Sequence, residues 1–173
     1  MPHPGRRACA LHAASAGTRG ATRRDMTRAT ASNQVESINV FMTASHRHLS
    51  DLYDRVLEAL EVNAPDLRDL WTDLDHGLLA HLEAEERYVL PAFAHIDREE
   101  ARALLREHGL IRERLLELGV AVDLHLGRYE AGRELVDMLR AHADREDKLL
   151  YRWADEQLDT SLAEAARRHV SNH

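Results

Sequence analysis

Four histidines, His46, His81, His108 and His142, stand on apolar stripes of helical period, one to each stripe, in a chain that carries twelve in all. Two glutamates share those stripes. Glu85 follows His81 by one helical turn, and Glu146 follows His142 by the same interval. Positions i and i+4 lie on one face of a helix. Two His-x-x-x-Glu pairs, His81-Leu82-Glu83-Ala84-Glu85 and His142-Ala143-Asp144-Arg145-Glu146, therefore point inward. A single histidine on an apolar face is most often a hydrogen-bonded core residue, and a single inward glutamate usually snorkels or pairs with arginine. Six such groups together are different. Burying an unpaired carboxylate costs several kcal/mol, and no lysine or arginine stands on these stripes to offset it. A bound dication removes the penalty and adds binding energy.

Ligand type narrows the metal. Imidazole and carboxylate without thiolate suit iron, manganese or zinc rather than copper(I) or calcium. Six side chains are too many for one structural zinc, which takes four ligands. Carboxylates that can bridge suit a dinuclear centre. Two six-coordinate ions offer about 12 positions. Four histidines fill four, two bridging glutamates fill four, and one bridging oxygen fills two. Two positions remain for water or a small exogenous ligand.

The elements that must position these groups are legible from period alone. The first stripe is Val35, Ile38, Met42, His46, Leu49, Tyr53, Val56, Leu60, opened by an Asn33/Glu36 capping box and broken at Asn63-Ala64-Pro65. The second is Leu67, Leu70, Leu74, Leu78, His81, Glu85, Tyr88, ending at Pro91. Asp97 and Glu100 offer a second capping box before Leu104, His108, Ile111, Leu115, Leu118 and Val122, with the stop placed at Gly127. The fourth runs Leu135, Met138, His142, Glu146, Leu149, Trp153, and a shorter helix is expected over Ser161–Val170. No strand alternation is present. Long helices joined by short loops predict an all-α fold, an antiparallel up-down-up-down four-helix bundle with a short C-terminal helix. In that topology the four histidines fall at one height, since each residue rises about 1.5 Å.

Composition excludes other classes. The chain has 173 residues, one cysteine, eight glycines and four prolines. Few glycines and prolines argue against a β-sandwich or barrel. Cys9 alone excludes an internal disulfide and a cysteine-based cluster. No apolar run is long enough to span a bilayer, and a net charge of −7 does not suit a nucleic-acid binder. Residues 1–34 nevertheless hold six arginines against Asp25, a local balance of +5. Residues 1–32 read as a disordered basic tail and 33–173 as the bundle domain. The tail also has the composition of a transit peptide. Arg6–Arg7 is only a weak twin-arginine signal, lacking an adequate apolar segment after it, and Met26 is a plausible alternative start.

At these residues the chain resembles the hemerythrin family, specifically the bacterial HHE cation-binding domains. The matching elements are "SHRHL" on the first helix, "HLEAEERYVLP" on the second, "EH" within "LLREHGLI" on the third and "HADREDKLLY" on the fourth, over about residues 35–155. The resemblance implies a non-haem di-iron site with His46, His81, Glu85, His108, His142 and Glu146 as ligands, manganese or zinc being less favoured occupants. Two departures matter. Oxygen carriers of the family place two histidines one turn apart on the third helix, where this chain has His108 and then Arg112. The last carboxylate of the family sits four or five residues after its histidine, and both Glu146 and Asp147 are present. Glu146 keeps the stripe and is preferred. A ferritin-like reading would want Glu-x-x-His pairs, and Asp73-x-x-His76 is the only near match.

Of the remaining histidines, His3 and His12 stand in the N-terminal stretch, and His48, His76, His95, His125, His169 and His173 fall off the stripe or near helix ends and are read as non-ligands. Tyr53 and Tyr88, seven residues after His46 and His81, read as core, with a hydrogen bond to the site or a redox role as the sharper alternative. Acidic neighbours such as Glu83 and Glu86 read as solvated faces. No nucleophilic triad, phosphate loop or base-reading motif is visible. The expected function is a cytoplasmic di-iron protein that binds or reacts with dioxygen, peroxide or nitric oxide, as sensor or stress-response protein. A peroxide-removing, catalase-like oxidoreductase and an iron store or delivery protein use the same ligands and stay open, as does the oligomeric state.

Overall fold

A computed structural model describes residues 37–172. Within them the chain is helical, with no strand. The tail, Cys9, Val35, the Asn33/Glu36 box and His173 lie outside the described residues. The first helix, α1 (Ile38–Val62), opens on Ser37, whose side chain accepts from the Val40 N–H. It closes on Asn63 in the left-handed region at φ 50°. The second is α2 (Leu67–Ala84), which passes into a π turn over Glu85–Val89 and a last turn, α3 (Leu90–Phe93). Then come α4 (Arg98–Asp123), α5 (Tyr129–Lys148), α6 (Leu150–Gln157) and α7 (Thr160–Ser171). Helix α1 lies beside α2 and α5, and α4 lies beside the same two. Short turns between sequence neighbours make them antiparallel, so the expected four-helix bundle is what forms. Helix α7 packs on α2, the π turn and α1.

Apolar residues at three- and four-residue spacing bury one stripe of each long helix. They form two clusters rather than one. Leu49, Val56, Leu74, Leu78, Ile111, Leu115 and Leu139 belong to the first. Met42, Ala84, Val89, Leu90, Leu104, Leu150 and Tyr151 belong to the second. Each site histidine sits where its helix passes from one cluster to the other: His46 between Met42 and Leu49, His108 between Leu104 and Ile111. The polar site is thus walled by hydrocarbon on both sides.

Three expected boundaries are corrected. Helix two does not end at Pro91. Proline has no N–H and its ring crowds the carbonyl four residues back; the chain widens into the π turn, in which the Leu90 N–H reaches the Glu85 carbonyl, and the helix continues. The fourth helix is not continuous to Trp153. It breaks at Leu149 (φ −117°, ψ −66°), where one N–H is shared between the Arg145 and Glu146 carbonyls. The third helix ends at Asp123, four residues before Gly127, with His125 taking the left-handed turn at φ 56°. Gly119 stays inside α4, and a Cβ there would stand 2.8 Å from Trp71 Nε1. The glycine lets the Nε1 edge of the indole come close to the helix backbone.

Candidate metal centre

Each of the four long helices contributes. α1 supplies His46, α2 supplies His81 with Glu85 at the head of the π turn, α4 supplies His108, and α5 supplies His142 and Glu146. The six side chains form two overlapping sets. His46, His81, Glu85 and Glu146 make one; Glu85, His108, His142 and Glu146 make the other; within each, the donor atoms lie within 4.8 Å of one another. Both glutamates, shared by the two sets, are 0% exposed. Glu146 faces this cavity, whereas Asp147 lies on the flank of α5 with a third of its side chain exposed.

The imidazoles are held from behind. His108 Nδ1 lies 2.9 Å from Glu86 Oε1, His142 Nδ1 2.9 Å from Glu107 Oε2, and His46 Nδ1 3.1 Å from Asp147 Oδ1. A carboxylate can only accept, so these three rings carry hydrogen on Nδ1 and turn Nε2 to the cavity. His81 Nδ1 meets Ser45 Oγ at 2.9 Å, a partner able to donate or accept. The outer carboxylates are themselves tied down. Arg112 grips Glu86 at 2.6 and 3.2 Å. Arg145 bridges Glu107 and Glu100, with both bonds to Glu100 at 2.7 Å. Thr43 Oγ1 donates to Asp147 at 3.0 Å.

Across the cavity the atoms are crowded but poorly satisfied. Glu85 Oε2, Glu146 Oε2 and His142 Nε2 make no hydrogen bond. Ring nitrogens face the glutamate oxygens at 3.2 to 3.6 Å: His142 Nε2 to Glu146, His108 Nε2 to both glutamates, and His46 Nε2 to Glu146. Buried polar atoms without partners are rare in folded proteins and call for a ligand. Four imidazole nitrogens and two carboxylates, dry and convergent, are the donor chemistry of a first-row transition metal.

Electrostatics shows what a metal displaces. Burial opposes charge on His46, yet the hydrogen bond to Asp147 and the neighbouring carboxylates of Glu146 and Glu85 outweigh it, raising it to about 10. His142 is likewise opposed by burial but lifted to about 9 by Glu146, Glu107 and Glu85. His108 moves up for the same reasons, against the pull of burial and of His142. Burial pushes Glu146 up, but the imidazoles of His108, His142 and His46 beside it hold it well below the ordinary range. In the metal-free chain, protons on imidazoles balance the buried carboxylates; a metal replaces those protons.

Several supporting residues lie off the apolar stripes. Glu86 is not merely a solvated acid, and Glu107 and Asp147 share its role. Each is adjacent in sequence to a cavity residue. One step along a helix turns about 100°, which carries them onto the flank facing the neighbouring helix. The larger omission is Tyr151, which is fully buried with its OH donating to Glu85. Burial and the nearby Glu85 and Glu146 charges keep this phenol protonated in the metal-free chain. Tyr53 is buried in the first apolar cluster, and Tyr88 packs against His169. Of the histidines expected to be non-ligands, His48, His76, His95 and His125 are exposed, and His169 lies 3.3 Å from Glu83.

A four-helix bundle whose core is interrupted by convergent histidine and glutamate donors defines a class of metal-binding protein. Residues 37–154 match the family described as the hemerythrin HHE cation-binding domain, and the chain belongs to that family. Neither the curated proteins nor the solved structures give a significant match. No helix among the described residues is long and apolar enough to cross a membrane.

Proposed function

We propose that this chain is a non-haem di-iron protein that binds or reacts with a small oxidant, namely dioxygen, peroxide or nitric oxide. The carrying observation is the pair of overlapping donor sets sharing Glu85 and Glu146. Two four-donor sets with two shared carboxylates match two ions bridged by glutamate. His46, His81, His108 and His142 would cap the pair from the four helices. Iron held there supplies redox change and exchangeable coordination positions.

The protein's own residues do the rest. Glu86, Glu107 and Asp147 orient imidazoles through Nδ1 and make them better donors. Leu104, Ile111, Leu139 and Leu150 keep bulk water out. An enclosed site of this kind favours a ligand of few atoms over an organic substrate. It also gives no reservoir in which a mineral core could grow, so storage is the weaker alternative.

Arg112 clamps Glu86, at the position where the family's oxygen carriers have a second histidine, so this chain offers one imidazole fewer. One imidazole fewer favours oxidation or turnover over a long-lived reversible oxygen complex. Iron-loaded protein mixed with peroxide, while oxygen release is followed, tests this. Sustained release marks a peroxide-removing enzyme, and a single stoichiometric spectral change marks a binding or sensing protein. No response of the iron spectrum to peroxide, dioxygen or nitric oxide would contradict the proposal.

A further inference from the structure

Every outer partner of the site approaches an imidazole from its Nδ1 side. Tyr151 does not. Its OH lies 3.0 Å from His81 Nε2 and 3.3 Å from His46 Nε2, and it is hydrogen-bonded to Glu85 Oε1. Those nitrogens are the atoms that His46 and His81 turn toward the cavity. An oxygen within hydrogen-bond reach of three members of one donor set lies inside that set, not behind it. The ring is fixed there by burial in the second apolar cluster and by the tilted His46 ring at 5.3 Å.

From these contacts we infer that Tyr151 is a direct protein ligand of the ion held by His46 and His81. This deepens the di-iron reading and rests on it. The break at Leu149 makes the placement possible. An unbroken helix would put Leu149 inside; instead Leu149 is 48% exposed, and Leu150 and Tyr151 turn inward. The corresponding turn after Glu85 sends Val89 and Leu90 inward, both hydrocarbon. The His46/His81 side therefore gains an oxygen donor, while the His108/His142 side gains none. Tyr151 would then be a seventh protein donor, on the His46/His81 side alone.

The step is a ligation without electron transfer. The phenol O–H bond breaks, the oxygen lone pair binds the metal, and the proton passes to solvent base. Zinc is the first probe, because it is colourless and redox-inert. The metal-stripped full chain is titrated with zinc while the ultraviolet difference spectrum of tyrosinate is followed. The expected result is one tyrosinate per chain at saturation. The signal should be lost in Tyr151→Phe and kept in Tyr53→Phe and Tyr88→Phe.

The ferric protein supplies a second readout, a visible phenolate-to-iron charge-transfer band with tyrosinate vibrations in its resonance Raman spectrum. Wild type, Tyr53→Phe and Tyr88→Phe should all show it, which keeps the test decisive even where Tyr151→Phe does not fold. Two bound ions without any tyrosinate signal would overturn the ligand assignment and leave the metal centre standing, with Tyr151 reduced to a hydrogen-bond donor. Failure to bind zinc or iron at all would overturn the metal centre, and this inference with it.

Discussion

The carboxylates that hold His108 and His142 from behind carry a consequence for metal affinity. Glu107 touches no cavity atom, yet it accepts from His142 Nδ1 and is gripped by Arg145. Removing such an outer partner lowers metal affinity about 10- to 100-fold. Glu107→Ala should do so in a competition titration with a chelator, while His48→Leu, at an exposed position of α1, should leave affinity unchanged. Equal losses in both would show that the wrong face of the helices has been assigned. The inward histidines and glutamates were legible in the sequence because their spacing coincides with the apolar stripe. Glu86 and Glu107 were not, since a one-residue offset places an acid on a flank that looks like solvent until the neighbouring helix is known, and Asp147 stood out only as an alternative to Glu146. Tyr151 was hidden for another reason: an unbroken helix through Leu149 keeps it off the stripe.

At the scale of elements, the bundle depends on close approach between helices as well as on burial. The indole of Trp71 lies across α4 at Gly119, where a Cβ would meet Nε1 at 2.8 Å. A rigid ring cannot yield as a flexible side chain can. Gly119→Ala should therefore cost about 1–3 kcal/mol by overpacking, read as a lower melting temperature with metal stoichiometry unchanged. An unchanged or raised melting temperature would mean that α2 and α4 have room to separate. Four long helices and their order followed from period and from the breaks at Asn63-Ala64-Pro65 and Asp97. The two irregular turns did not. Pro91 signals a helix end by its chemistry, but a widened turn satisfies the same chemistry without ending the helix. Leu149 carries no local breaker at all, and its break follows from packing of Leu150 and Tyr151 into the second cluster. Both irregularities fall just after a site glutamate, where they decide which later side chains turn inward.

For the molecule as a whole, the site couples folding to metal and to pH. With metal removed, His46 and His142 titrate in the folded chain at about 10 and about 9, against an ordinary value of 6.5. Raised pKa values mean that the folded state binds these protons more tightly than the unfolded one. Their stabilisation is complete below about 6.5 and is lost as pH rises through 9 and 10. Glu146, held low, contributes above its ordinary 4.5, and that contribution is lost on acidification. The metal-free protein should therefore melt at lower temperature at pH 9.5 than at pH 6, because unbalanced carboxylates then remain in the core. The loaded protein should change far less over this interval, its imidazoles holding metal in place of protons. A metal-free form that becomes more stable with rising pH would contradict the charge balance. None of these groups lies in residues 1–32, so a chain lacking them should fold and bind metal as the full chain does; loss of metal from it would extend the domain into that segment.

Metal content tests the central claim most directly. The full chain, expressed with ample iron and purified without chelator, should carry two irons per chain by elemental analysis, falling when His108 is replaced by leucine. One zinc per chain, or no metal despite that supply, would contradict a di-iron centre built on His46, His81, Glu85, His108, His142 and Glu146.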